Sequence, residues 1–198
     1  MTHRQIILGS NSPRRGEILR FFSLPFTQIA SNFAEESILF TGDPIDYVGI
    51  LAKKKGESLA VQYPENIILT ADTIVYLDGK VYNKPVSREE AILFLQQLSG
   101  KWHTVYTGIA LSFKDAQHIR VEETRILFHE LKEAHIHHYL DHVNFLDKAG
   151  SYAIQQGGSL VVKKIEGCYY NVMGLPLSSL KELLTLVNID LWECMNIL

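Results

Sequence analysis

Apolar positions along this chain come in short blocks separated by turn residues, and their spacing changes from block to block. Residues 4–8 form a buried strand built on Ile6-Ile7-Leu8 that ends at Gly9-Ser10-Asn11. Ser12 as N-cap and Pro13 as first helical residue then open a helix through Ile18, Leu19 and Phe22. Residues 26–30 predict a second strand, followed by the acidic pair Glu35-Glu36. Asp43-Pro44 repeats the cap-then-proline signal for a helix through Tyr47, Leu51 and Leu59. Residues 67–69 read as a buried strand leading into Thr70-Ala71-Asp72-Thr73. Residues 74–77 and 80–82 flank Asp78-Gly79, the signature of a type I′ hairpin. Ser87 with Glu90 makes a capping box for a helix that runs to Leu98 and stops at Gly100. Residues 105–113 and 119–128 predict long paired strands, and a His-rich helix follows over 132–143. The last third holds a Gly157-Gly158 turn, a strand over 160–165 and a helix after Pro176.

Helices mixed with hairpins predict an α/β protein with a central mixed sheet, not a strict βαβ array. A chain of 198 residues makes one domain, or two lobes sharing a core around a cleft. No repeat or linker divides it, so residues 1–198 are taken as a single domain; 188–198 lack a period and suggest a loosely docked tail. The 46% hydrophobic and 21% charged residues fit a soluble globular chain. No apolar run approaches the roughly 20 residues of a bilayer span, and the N-terminus lacks the apolar length of a signal peptide. A net charge of −3 gives no basic face for a nucleic acid polymer, so an anionic ligand must be met by a few placed cations. Two cysteines, Cys168 and Cys194, are too few for a disulfide framework and fit a reducing, cytoplasmic setting.

Candidate chemistry gathers in the first half. A strand, the Gly9-Ser10-Asn11-Ser12 turn and a helix start offer backbone N–H groups to an anion, with the Ser10 and Ser12 hydroxyls and Arg14 and Arg15 adding donors. Asp72 sits just past the carboxyl end of a buried strand, where ligands of α/β sheets bind. Glu35-Glu36 is a second acidic cluster, and hard divalent cations take a few carboxylates plus phosphate oxygens. Pro85 holds Lys84 extended, which helps to aim its long side chain. Of Lys53, Lys54 and Lys55, helical geometry turns only one inward. Together these groups suit a nucleotide polyphosphate with a divalent metal. A Walker A loop, a dinucleotide glycine fingerprint and a Gly-x-Ser-x-Gly elbow are missing. His135, His138 and His142 share one helical face, but Tyr139 stands where a zincin glutamate would, and the default reading is a polar exposed face.

Leu8-Gly9-Ser10-Asn11-Ser12-Pro13-Arg14-Arg15 resembles the opening motif of the Maf-like pyrophosphatases, Leu-Ala-Ser-x-Ser-Pro-Arg-Arg. Leu51-Ala52 with Lys55, Ala71-Asp72-Thr73, Asn83-Lys84-Pro85, Leu98-Ser99-Gly100, His103 and Thr107-Gly108 continue the match in order. The segments 149–155, 165–167 and 171–177 complete it, so the resemblance runs from about residue 5 to residue 187. It implies a two-lobed α/β fold with a cleft, and hydrolysis of a nucleoside triphosphate to monophosphate and pyrophosphate. It also implies a divalent cation (Mg²⁺, Mn²⁺ or Co²⁺), held by Asp72 with Glu35 or Glu36, and Asp72 as general base. Ser10, Ser12, Arg14, Arg15, Lys55, Thr73, Lys84 and Gln155 would meet the substrate. In the resemblance Arg14, Thr73 and Gln155 mark the subgroup acting on dTTP and UTP, not on 7-methyl-GTP.

The chain departs from the family pattern at Gly9 and Gly56, where Ala is usual, at Asn83 in place of Gly, and at Gln156, where Gly commonly follows the glutamine. A second reading from the same resemblance is a non-catalytic nucleotide-binding regulator of septum formation and cell division. A third is another nucleotide hydrolase, including a house-cleaning enzyme for modified nucleotides; product analysis separates them. A homodimer is left open by the sequence.

Overall fold

The structure is a computed structural model that describes residues 5–196; Arg4, the expected first residue of the opening strand, lies outside them. In chain order the elements are β1 (Ile6–Gly9), α1 (Pro13–Leu19), β2 (Phe26–Ile29), α2 (Pro44–Ala60), β3 (Ile67–Leu77), β4 (Lys80–Tyr82), α3 (Arg88–Leu98), β5 (Trp102–Phe113), β6 (Ala116–Phe128), α4 (Glu133–His142), α5 (Gly158–Val161), β7 (Val162–Glu166), α6 (Tyr169–Val172) and α7 (Leu177–Thr185). The strands form one mixed seven-stranded sheet in the order β2-β1-β3-β5-β6-β7, with β4 also paired to β3.

β3 organises the molecule. One edge pairs with β5 without a break from Ile68↔Ser112 to Tyr76↔Thr104. The other edge is shared: β1 pairs in parallel over residues 67–70 and β4 antiparallel over 75–77, leaving residues 71–74 open between them. The sheet therefore forks at Asp72. The polar stretch Thr70-Asp72-Thr73 suggests a turn between two short strands, yet β5 carries the chain straight through as one strand. Asp72 lies in its middle, not past its end.

Two apolar cores flank the fork. One gathers β1, α1, α7 and the first half of β3 around Leu8, Leu19, Leu69 and Leu183. The other gathers the second half of β3, β4, α3, α4 and β7 around Leu95, Phe128 and Leu140. On the opposite face α2 crosses the sheet, capped by Asp43, whose carboxylate accepts the Ile45 and Asp46 N–H groups at 2.8 and 3.3 Å. Its buried stripe is Val48, Leu51, Ala52, Lys55 and Leu59, the spacing of one helical face. Contact with β5 is backbone on backbone. A Cβ at Gly108 would stand 2.4 Å from the Val48 carbonyl oxygen and 3.1 Å from the Gly49 nitrogen.

Local signals are met in detail at the turns. Asp78 (φ 49°) and Gly79 (φ 82°) both take the left-handed conformation that a type I′ turn requires. Ser87 Oγ accepts the Glu90 N–H at 3.2 Å, and Glu90 answers the Val86 N–H at 2.7 Å. Two expectations need correction and a third holds in part. The strand predicted over 160–165 begins at Val162, because Gly157 (φ 62°) launches one helical turn through Gly158–Val161. Ser12 holds the expected N-cap position with Pro13 as first helical residue, but its side chain makes no capping bond. Residues 188–196 are docked: Ile189, Leu191 and Cys194 are buried in the first core, and Ser23 N–H donates to the Cys194 carbonyl at 2.6 Å.

Candidate active site

A cleft of about 350 Å³ opens at the fork. Alternate residues of a strand point to opposite faces, but beside an open edge both faces border the same space. Asp72 thus enters from the α2 side, and Thr73 from the side of α1 and the loop after α6. Every residue assigned from the sequence to the phosphate, metal or base site reaches this cleft: Ser10, Ser12, Arg14, Arg15, Glu35, Glu36, Lys55, Asp72, Thr73, Lys84 and Gln155.

Of the lysine run, Lys55 is the inward one. It falls on the buried stripe of α2, whereas Lys53 and Lys54 face Glu57 at the surface. Its ammonium donates to Asp72 Oδ1 and stands 2.9 Å from Glu35 Oε1, so both carboxylates aim at one cationic point. Burial alone raises the Glu35 pKa, but the Lys55 charge and hydrogen bond, helped by Lys84 and Arg15, bring the net value below the usual carboxylate range. Glu36 lines the cleft without an ion pair among the described residues, whereas Glu35 pairs with Lys55. Among the described residues no three His, Cys, Asp or Glu side chains come together as a metal cage. Two convergent carboxylates nevertheless fit Mg²⁺-type ions, which take one or two carboxylates plus substrate phosphates.

Arg15 is a keystone more than a free cation. Its Nε donates to the Gly174 carbonyl at 2.7 Å, Nη1 to Ser10 Oγ at 3.0 Å and Nη2 to Thr73 Oγ1 at 3.0 Å. Desolvation lowers its pKa, opposed by the nearby Asp72 charge. Gly174 (φ 97°) is required here: a Cβ would meet Thr73 Oγ1 at 3.0 Å and Arg15 at 3.3 Å. The hydroxyls beyond form a directed chain. Thr107 Oγ1 donates to the Asn171 carbonyl at 2.8 Å, so its proton is committed. Thr73 then donates to Thr107 at 3.0 Å while accepting from Arg15, and one acceptor lone pair remains.

Arg14 is held at the mouth of the cleft by Asp147, through Nη1 to Oδ2 at 2.8 Å and Nη2 to the carbonyl at 3.3 Å. Lys148, almost fully buried, donates to Asp147 Oδ1 at 2.6 Å. Although partial burial pushes the other way, these two cations hold the Asp147 pKa below its usual value. Asp147 and Lys148 were not predicted. Their only sequence signal is position, directly before the Ala149-Gly150 motif. That motif turns sharply, with Gly150 and Ser151 both at positive φ (67° and 65°), and carries the chain along the cleft wall to Gln155. Lys84 and Gln155 line the cleft without a hydrogen-bond partner among the described residues. The glycine departures are packed positions: a Cβ at Gly9 would stand 2.4 Å from Leu59 and 2.6 Å from Thr70, and one at Gly56 3.1 Å from Ser112.

The profile of a family described as Maf-like protein matches residues 5–187. A dTTP/UTP pyrophosphatase of Chlamydia caviae is 45% identical over 190 residues, covering 96% of this chain and 97% of that one. A nucleoside triphosphate pyrophosphatase of Chlamydia muridarum is 39% identical over the same shares of the two chains. Among solved structures, the Ham1 protein of Staphylococcus aureus aligns over 78% of this chain and 90% of its own, with a TM-score of 0.47 and 15% identity.

Proposed function

The chain belongs to the Maf-like protein family, and from that premise we propose that it is a single-domain, cytoplasmic pyrophosphatase that converts dTTP and UTP to the monophosphate and pyrophosphate. The observation that carries this reading is the convergence of Asp72 and Glu35 on one cationic point in a cleft that Arg14, Lys84 and Lys148 also line. The relatives' names supply the reaction; two free cysteines accord with a reducing compartment.

In this reading water attacks the α-phosphorus, its proton passes to the Asp72 carboxylate, and the bond to the bridging oxygen breaks as pyrophosphate leaves. Asp72 and Glu35 would hold Mg²⁺, Mn²⁺ or Co²⁺, which would supply charge neutralisation at the triphosphate. Lys55 keeps both carboxylates directed at one point, and Lys84, without a hydrogen-bond partner among the described residues, meets the negative charge of the phosphates. Ser10 and Arg15 act indirectly, holding the turn after β1 against Thr73. Ser12, uncommitted as a helix cap, offers its hydroxyl to the phosphates.

Base choice follows from what the cleft leaves unpaired. Gln155 offers a donor and an acceptor on one amide, and Thr73 offers an acceptor alone, since its proton goes to Thr107. Uracil and thymine present two carbonyl acceptors flanking one N–H donor; the Gln155 amide can meet one carbonyl and the N–H side by side, while Thr73, an acceptor only, can share the N–H but cannot serve the second carbonyl. A cationic 7-methylguanine would favour an acidic or aromatic partner, which neither residue provides. The test is incubation of purified protein with UTP, dTTP and 7-methyl-GTP and each metal, measuring pyrophosphate and orthophosphate separately. Pyrophosphate plus monophosphate is expected, abolished by EDTA, with the pyrimidines ahead by at least about tenfold in kcat/KM, or about 1.4 kcal/mol. Orthophosphate plus diphosphate would overturn the reaction, and equal use of all three would overturn the base assignment.

A further inference from the structure

A second cavity, of about 630 Å³, lies apart from the cleft, between α4 and the turn at Gln156-Gly157. Its lining is mainly apolar, with Leu131, Val143 and Leu160 among its walls, but His135, His138 and His142 also border it. The last two stand one helical turn apart on α4, the spacing at which side chains meet. Their ring centres are 4.5 Å apart, tilted by 45°. Two imidazoles bound side by side to one metal, at about 2.0–2.1 Å from nitrogen to metal, bring their ring centres to about 4.5–5.5 Å. The rings are already at the near end of that range.

The tautomer of His142 is fixed by its neighbour. Nδ1 lies 2.8 Å from the His138 carbonyl oxygen, which can only accept, so Nδ1 carries the proton and Nε2 is left as a bare lone pair. A ring nitrogen anchored to a backbone carbonyl while the other faces outward is the arrangement found in metal-ligating histidines. Among the described residues no third His, Cys, Asp or Glu joins the pair, so solvent would have to complete the coordination of an ion bound there.

We propose that His138 and His142 form a binding site for one borderline divalent cation of the Zn²⁺, Ni²⁺ or Cu²⁺ class, separate from the carboxylate site in the cleft. Imidazole nitrogen selects these ions, whereas Asp72 and Glu35 suit harder ones. The two sites are mechanically connected. Between the two histidines Tyr139 OH accepts the Ala153 N–H at 2.9 Å and donates to the Ala153 carbonyl at 3.4 Å. A cation that pins the last turns of α4 therefore bears on the cleft wall just before Gln155.

Equilibrium dialysis of the untagged full chain against Ni²⁺, with Mg²⁺ in excess to occupy the cleft, tests the site. One equivalent of Ni²⁺ should bind, and His138→Ala and His142→Ala should each weaken it by at least about tenfold, because a two-point attachment becomes a one-point one. His135→Ala should bind as wild type does. Ni²⁺ should also raise the Tm of the wild type and leave that of the double variant unmoved. Both side chains are exposed, so all three variants should share the metal-free Tm of the wild type. Equal Ni²⁺ binding by wild type and double variant would overturn the site, as would its loss through His135→Ala alone.

Discussion

Gly108 and Gly49 touch across the interface of α2 and β5, and adding one methyl to each should act in opposite directions. At Gly108 the new Cβ would lie 2.4 Å from the Val48 carbonyl oxygen and 2.8 Å from its carbon. Both are backbone atoms that no rotamer change can move. Reaching an ordinary contact requires the helix to retreat by about 1 Å, and overpacking of this kind costs about 1–3 kcal/mol. In a chain of this length each kcal/mol lowers Tm by about 2–4 °C, so a drop of about 2–12 °C is expected. Gly108 pairs directly with Asp72, and α2 carries Lys55. A displacement of about 1 Å at such a site can cost about a hundredfold in kcat. Gly49→Ala should do the reverse. Its Cβ would meet only the Val121 and Ile119 methyl groups, at 3.5 and 3.8 Å, and replacing a helical glycine with alanine gains about 0.5–1 kcal/mol. Thermal denaturation and pyrophosphate release from UTP, measured on both variants, decide the matter. A Gly108→Ala protein with wild-type Tm and turnover would refute the close backbone contact as a determinant of the site.

Asp72→Asn keeps the shape of the side chain but removes its charge, and should lower kcat at least about a hundredfold with the fold retained, by circular dichroism and turnover. Among single Lys→Ala variants assayed for kcat/KM, those at 55 and 84 should fall well below those at 53 and 54, which share the half-buried Glu57 as partner; four equal, small effects would remove Lys55 and Lys84 from the site. His103 is packed edge-on to Phe128 and Tyr152, and burial lowers its pKa to about 3, so it is neutral in the folded chain. The unfolded chain binds that proton from about pH 6.5 downward, so stability should fall by up to about 1.4 kcal/mol per pH unit between 6.5 and about 3. Urea titrations across this window should show a shallower slope for His103→Gln, and an unchanged slope would show that His103 does not carry it.

What the sequence made legible were features whose cause is local. Asp43-Pro44, Asp78-Gly79 and Ser87 with Glu90 announce their turns and caps because the responsible bonds span four residues or fewer. The residues of the cleft were legible as a set, since their ordered motifs match a family pattern. Their roles were less so. Arg15 reads as a phosphate ligand until its three bonds to Ser10, Thr73 and Gly174 are seen, and Gly174 is 159 residues away. Asp147 acquires meaning from Arg14, 133 residues distant. Asp72 was misplaced for a different reason. Polar residues in an apolar run normally mark a turn, but here they mark the one stretch of a central strand with an open edge. The candidate site breaks the pattern that the rest of the strand obeys.

The uninterrupted pairing of β3 with β5 has a consequence for motion. Nine successive residue pairs run past Asp72, so the strand bearing the carboxylate has no joint at which it could bend. Closure around a substrate must then come from segments outside that ladder: the stretch between β2 and α2 that brings Glu35, the loop after β4 with Lys84, and the turn from Asp147 to Gln155. Such segments move far faster than a sheet can open, because they break few backbone hydrogen bonds in doing so. In the proposed reading, substitutions in these loops should retune entry and release of the nucleotide while the carboxylate on β3 stays where it is.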